Sequence, residues 1–156
     1  AELSTFHNTS WLGSEFKYER YLLDLRKYYK FNDKNVVAVQ AMGVFNPGDV
    51  PFREMARLGG QYMMRGYYDG RYRDKNLLAF QAEYRRHLFW RLGVVGFAAV
   101  GDVASAPKNF DAGEFKLTGG AGLRINVKEK DRVNIRIDYG VGNNSSGLYF
   151  GIGEVF

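Results

Sequence analysis

Residues 115–128 read FKLTGGAGLRINVK. Phe115, Leu117, Ala121, Leu123, Ile125 and Val127 fall on one parity, and Lys116, Thr118, Arg124, Asn126 and Lys128 fall on the other. Strict alternation has the period of a β-strand, in which successive side chains point to opposite faces. The stretch is also long. Globular strands average about 5–6 residues, whereas a tilted strand needs about 9–11 to cross a membrane.

The same pattern spreads outward from this stretch. Arg132–Gly142 sets Val133, Ile135, Ile137, Tyr139 and Val141 against Arg132, Asn134, Arg136 and Asp138. Leu148–Phe156 carries Leu148, Phe150, Ile152 and Phe156 on one parity. Upstream, Gly93–Val103 is apolar on both parities. Leu77–Trp90 opposes Leu78, Phe80, Ala82, Tyr84, Leu88 and Trp90 to Gln81, Glu83, Arg85 and His87. Val36–Phe45 reads as a strand between the turn Asn32-Asp33-Lys34-Asn35 and the breaker Asn46-Pro47-Gly48. Phe16–Phe31 fits a strand, with a helix as the rival because Leu22, Leu25 and Tyr29 also match a 3.6 period. Ala1–Trp11 is weakly patterned and is taken as a strand. The expected fold is all-β: a transmembrane antiparallel β-barrel of about eight strands, an up-and-down meander with one long loop.

Composition narrows the classes. The chain has 156 residues, enough for one barrel domain over 1–156, and no separate periplasmic domain is expected within it. Absence of Cys excludes a disulfide scaffold, a thiol nucleophile and a thiolate metal site. Two distant histidines offer no ligand spacing, so no metal or other cofactor is expected. The net charge of +5 suits an anionic surface, but no Lys/Arg run is long enough to argue nucleic acid. Twelve Phe, 11 Tyr and 19 Gly against 3 Pro suit twisted strands. No apolar run reaches 18 residues, and no signal peptide stands at Ala1, so the chain is either unexported or already processed. A mean hydropathy of -0.36 fits a soluble protein and a membrane barrel equally, because only alternate residues of a barrel meet lipid. Parity does not separate them either. Glu83, Arg85, Arg124, Arg136 and Asp138 face water outside a soluble barrel or a wet lumen inside a membrane one. Strand length, aromatic content and the C-terminal Phe favour the membrane.

The longest interruption of the pattern is Leu58–Asn76, LGGQYMMRGYYDGRYRDKN, with Arg65-Gly66-Tyr67 at its centre. A long loop carrying such a triplet is usually functional. Leu58-Gly59-Gly60 followed by Met64-Arg65-Gly66-Tyr67 resembles the (V/L)RG(F/Y) loop of the bacterial surface antigen family, the BamA/TamA-like barrels of the bacterial outer membrane. Ala82-Glu83-Tyr84-Arg85 resembles the Glu-aromatic-Arg strand that follows that loop. Gly120-Ala121-Gly122-Leu123-Arg124, Ile137-Asp138-Tyr139-Gly140 and the ending Leu148–Phe156 resemble the family's later strands, and Asp49-Val50-Pro51-Phe52 precedes the loop in a similar way. The resemblance covers roughly residues 16–156. It implies a loop folded into the lumen, where Arg65 pairs with carboxylates of the wall. Glu83 matches the first. The second belongs to a Phe-x-Asp-x-Gly pattern, but here Phe97–Gly101 has Ala99 at the Asp position. Asp138 is the preferred substitute and Asp102 the alternative. The resemblance also implies that Phe150, Ile152 and Phe156 form the C-terminal recognition signal of outer-membrane barrels, with Glu154 a departure from an apolar row.

The function implied is assistance in inserting or translocating proteins at the outer membrane, without enzymatic activity, through a weak seam that offers a strand edge to a client. Gly151 and Gly153 are compatible with weak pairing. A minimal, purely structural member is the neighbouring reading. The expected partners are outer-membrane lipid, client outer-membrane proteins and a second chain completing the barrel. The chain reads equally as a fragment of a wider barrel, a complete eight-stranded one, or half of a shared one. An eight-stranded interior is filled by side chains, so a closed ring of eight would keep the loop outside or at its mouth. Two alternatives come from other classes. One is a small outer-membrane enzyme acting on lipid, for which His87 and Ser105 are the available groups, without a recognisable nucleophile context. The other is a lipocalin-like binding barrel.

Overall fold

The computed structural model describes residues 1–8, 17–128 and 133–156. The strands are β1 (Glu2–Asn8), β2 (Tyr18–Asn32), β3 (Asn35–Phe45), β4 (Ala56–Leu58), β5 (Tyr72–Asp74), β6 (Asn76–Phe89), β7 (Leu92–Ala104), β8 (Lys116–Lys128), β9 (Val133–Gly142) and β10 (Ser145–Ile152). Eight of them form one antiparallel sheet in the order β1-β2-β3-β6-β7-β8-β9-β10, and β4 pairs with β5 as a separate ribbon. The expected meander is therefore present, with every sequential neighbour paired. Among the described residues no pairing joins β1 to β10, so the sheet has two free edges rather than a closed ring. Residues 9–11, 16 and 132 of the expected elements lie outside the described residues.

The segment with two competing periods is a strand. β2 pairs with β1 on one side and β3 on the other, from Tyr18 to Asn32, leaving no room for a helix. Its apolar residues Tyr21, Leu23, Leu25 and Tyr29 are exposed, whereas Asp24 is buried. That inversion holds across the sheet. One face bears Asp24, Gln40, Gln81, Glu83, Arg124, Arg136 and Asp138, all buried, while the opposite face exposes Phe80, Tyr84, Leu117, Leu123, Tyr139, Leu148, Phe150 and Ile152. A sheet with water on its outer face would reverse this, since unpaired charge is expensive to bury and exposed apolar area is unfavourable.

The polar face is buried because the long loop lies on it. The loop is shorter than the sequence suggests at both ends: Ala56–Leu58 and Tyr72–Asp74 zip together, leaving residues 59–71 as the tip. Leu58, Met63, Met64 and Tyr67 pack with Val44, Leu77, Ala79 and Ala99 in the main apolar cluster, which fixes the loop's base to β3, β6 and β7. Short turns at 33–34 and 90–91 lie at one end of the sheet, and the long connections 46–75 and 105–115 lie at the other.

The closing strand ends earlier than expected. Pairing of β10 stops at Ile152, and Gly153 takes φ +84, turning the chain off the sheet. Phe150 and Ile152 stand on the bare apolar face, but Phe156 does not continue their row. It is buried with Val155 against Ala38. The physical reason is the positive φ at Gly153, which breaks the alternation on which the sequence reading depended.

Candidate functional site: the loop arginine and its wall

The tip of the loop closes on itself before it meets the wall. The Gly60 N–H donates to the Tyr67 carbonyl at 3.0 Å, and the Tyr67 N–H donates to the Met64 carbonyl at 3.2 Å. Gly66 sits at φ +121, a conformation that L side chains rarely adopt. Met64, with φ 58, is a non-glycine residue in the left-handed region, held there by burial in the apolar cluster. This turn projects Arg65 away from its own loop and into the sheet.

Arg65 is 1% exposed. Its Nη1 donates to Asp138 Oδ2 at 2.7 Å, and its Nη2 donates to Glu83 Oε1. The guanidinium lies over the Phe97 ring, 3.6 Å from the centroid. One planar fork thus reaches two carboxylates on strands β6 and β9, with β7 supplying the floor between them. Each carboxylate is shared with a wall arginine. Glu83 Oε2 accepts from Arg85 Nε at 2.8 Å, and Asp138 Oδ1 accepts from Arg124 Nη1 at 2.5 Å. Burial of so many charges is tolerable only where they are paired in this way.

The wall is shaped to let the loop backbone approach. A Cβ at Gly140 would lie 2.6 Å from the Arg65 carbonyl carbon and oxygen, and one at Gly142 would lie 2.6 Å from the Tyr67 ring. On the loop side, a Cβ at Gly66 would lie 2.6 Å from the Val141 carbonyl carbon. Tyr67 is buried, donates its hydroxyl to the Leu117 carbonyl at 3.2 Å and accepts from the Asn143 N–H at 3.0 Å.

The structure thus brings together Arg65, Gly66, Tyr67, Glu83 and Asp138. Asp102 is elsewhere, bonded to Lys116 at 2.6 Å. Ala99, at the position where the resembling pattern carries an acid, is buried in the apolar cluster beside Met64. Phe156 is separate from Phe150 and Ile152, as described above. Its ring lies under Arg85, 5.3 Å from the guanidinium carbon, and its backbone oxygen accepts from Arg85 Nη2 at 3.0 Å. Glu154 accepts from Arg124 Nε at 2.9 Å and Asn134 Nδ2 at 2.8 Å, so residues 153–156 brace the same charged face. His87 and Ser105 do not meet. They lie near opposite ends of paired strands β6 and β7, roughly 40 Å apart at about 3.3 Å per residue.

Several contributors escaped the sequence reading. Tyr149 accepts from the Gly66 N–H at 2.9 Å and donates to the Tyr67 carbonyl at 2.9 Å. Its parity, opposite to Leu148 and Phe150, was the available signal. Gln81 donates to the Tyr62 carbonyl at 2.9 Å and to Gln40 Oε1 at 2.6 Å, and Gln40 passes the chain on to Asp24 at 2.8 Å. Arg136 reaches Gln61 Oε1 at 3.3 Å. Tyr149→Phe removes a hydroxyl that serves two loop backbone groups. It is expected to weaken seating of the tip by about 1–3 kcal/mol, the scale of leaving buried polar groups unpaired. Faster amide exchange at Gly66 and Tyr67, with unchanged exchange in β6 and β7, would register it.

A sequence model of the Omp85 superfamily domain matches residues 3–156. No curated protein matches the chain. The family match spans the meander, the loop and both carboxylate-bearing strands, and the chain therefore belongs to the Omp85 superfamily, a superfamily of outer-membrane proteins.

Proposed function

We propose that this chain forms the wall of an outer-membrane β-barrel that assists insertion or translocation of other proteins, with the loop tip seated in the lumen by Arg65. The observation that carries this reading is the inverted sheet. Its charged face is covered by a loop anchored through a buried ion network, and its bare face is apolar along the length of long strands. In a barrel, that arrangement puts charge in the lumen and apolar side chains against lipid.

The loop also bears on barrel width. Residues 59–71 occupy the face that would become the lumen, and an eight-stranded ring has no such space. The proposed barrel is therefore wider than eight strands, with β1 and β10 each pairing to strands beyond those of the sheet. An edge of unpaired N–H and C=O groups is a template for added strands, which is also how a client strand would be offered a partner. Two measurements check this reading. Heat-modifiable migration and a requirement for detergent are expected of the extracted protein. Proteoliposomes carrying it are expected to raise the protease-protected yield of an unfolded outer-membrane client several-fold over empty liposomes. A protein that stays in solution without detergent would remove the membrane reading. A folded, membrane-inserted protein with no effect on client yield would reduce it to a structural barrel.

A further inference from the structure

At the short-turn end of the sheet, on its charged face, lies an open cavity of about 640 Å³. It exists because β7 presents Gly93 and Val95 in the rows where β6 carries His87 and Arg85, so its floor is low between longer side chains. The charged lining includes Lys30, Lys34, Arg85, Arg91 and Arg124, against the carboxylates of Asp33 and Glu154. Both carboxylates are committed. Asp33 pairs with Lys30 at 2.6 Å, and Glu154 pairs with Arg124 at 2.9 Å and Arg85 at 3.7 Å. Lys34 and Arg91 are exposed and have no carboxylate partner among the described residues. The cavity also shows which groups it accepts. Glu154 enters it from the C-terminal residues 153–156, where Arg124 Nε and Asn134 Nδ2 meet its carboxylate at 2.9 and 2.8 Å. Two residues on, the Phe156 backbone oxygen accepts from Arg85 Nη2 at 3.0 Å. A short acidic stretch of polypeptide is thus already seated along one side, by carboxylate and by backbone. The other side repeats the cations without the acid.

We infer that this cavity is a docking site for an acidic peptide segment of a periplasmic partner, which lies beside residues 153–156 with its carboxylates on Lys34 and Arg91. The inference rests on the membrane reading above, because sidedness comes from it: barrels of this kind keep short turns on the periplasmic side. Spacing favours a peptide over a lone anion. Lys34 and Arg91 directly precede β3 and β7, and β6 lies between those strands. Two strand spacings are about 10 Å, which matches residues three apart in an extended chain at about 3.3 Å each. A single phosphate does not bridge that distance. Volume agrees, since pockets of roughly 300–1,000 Å³ take ligands well beyond the size of an ion. Lipid does not reach the cavity, which opens on the charged side of the sheet and not on the apolar one. Exposed ion pairs are individually weak and are screened by salt, so the site selects a segment with more than one acid.

The test is fluorescence anisotropy of an end-labelled peptide, Asp-Glu-Val-Glu-Asp, titrated with the full chain in non-ionic detergent. Asn-Gln-Val-Gln-Asn is the uncharged control and pyrophosphate the competitor. The acidic peptide is expected to bind roughly ten-fold tighter than the control and to weaken as salt is raised. Lys34→Gln combined with Arg91→Gln changes two exposed turn residues away from Arg65. It is expected to weaken binding roughly ten-fold while the heat-modifiable band is kept. Glu154→Gln removes the resident carboxylate and is expected to tighten binding several-fold, which loss of a merely structural contact would not do. The inference is overturned if the acidic peptide binds no better than the control, or if the double variant binds it as well as the parent does. It is also overturned if equimolar pyrophosphate displaces the peptide, which would mark an adventitious anion site, or if Glu154→Gln leaves the affinity unchanged or lowers it. Each of these outcomes comes from a detergent-requiring, heat-modifiable protein. A chain that needs no detergent would instead remove the membrane reading itself.

Discussion

Arg65→Ala is expected to release the loop tip while leaving the sheet assembled. In a limited trypsin digest, cleavage at Arg71, in the tip, and at Arg57 and Arg73, which flank it, should accelerate by one to two orders of magnitude. The strand cores should remain protected. The reasoning starts from the two carboxylates. Arg65 donates to both Glu83 and Asp138, and all three groups are buried. Breaking a buried ion pair by removing one partner is destabilising by about 3–5 kcal/mol, because the other charge is left uncompensated. Here the loss is softened on the wall side. Glu83 keeps Arg85 and Asp138 keeps Arg124, so neither acid is stranded. The loop side has no such reserve, since its link to the two acids is this one guanidinium. Most of the lost free energy therefore falls on seating of the loop rather than on the sheet.

Arg65→Lys refines the expectation. An ammonium is a compact point charge without a planar fork, and it can satisfy one carboxylate well but not two strands at once. The lysine variant should show intermediate cleavage, nearer to Ala than to the parent. Unchanged loop protection in the alanine variant would mean that Gln81, Tyr149 and the apolar cluster suffice, and that the ion network merely occupies the interior.

How much of this was legible beforehand depends on which physical signal each element leaves in the sequence. β8 and β9 were readable to within a residue because alternation is a local property of side-chain spacing. β2 was ambiguous because its inward row includes Leu22 and Tyr28 beside Asp24, so two periods fit, and pairing on both edges decides between them. The end of β10 was misread because one backbone dihedral at Gly153 redirects four residues, and a glycine does not announce its φ. Glu83 and Asp138 were approachable through parity. That they meet the same arginine is a long-range fact, set by curvature of the sheet and by a separation in sequence of 73 residues between Arg65 and Asp138. Ring closure is a property of strands meeting across a gap, and no alternation pattern encodes it.

The second large effect concerns shape instead of charge. Gly140→Val is expected to unseat the loop even though Arg65, Glu83 and Asp138 all remain. The wall strand and the loop meet backbone to backbone at this point. Any Cβ at Gly140 would fall 2.6 Å from the Arg65 carbonyl, and its nearest contacts are main-chain atoms that no rotamer change can clear. The loop must back away by an ångström or more, and a guanidinium fork that leaves hydrogen-bond range loses both carboxylates together. Overpacking of this kind costs about 1–3 kcal/mol by itself, and loss of the fork adds to it. A combined variant separates the two effects. If Gly140→Val acts by displacing the loop, adding Arg65→Ala should increase trypsin cleavage hardly at all, since the fork is already disengaged. The coupling between the two sites would then be nearly as large as the smaller single effect. Strictly additive effects would show instead that the glycine serves β9 and its pairing with β8 and β10, and that the close approach of the loop is incidental to it.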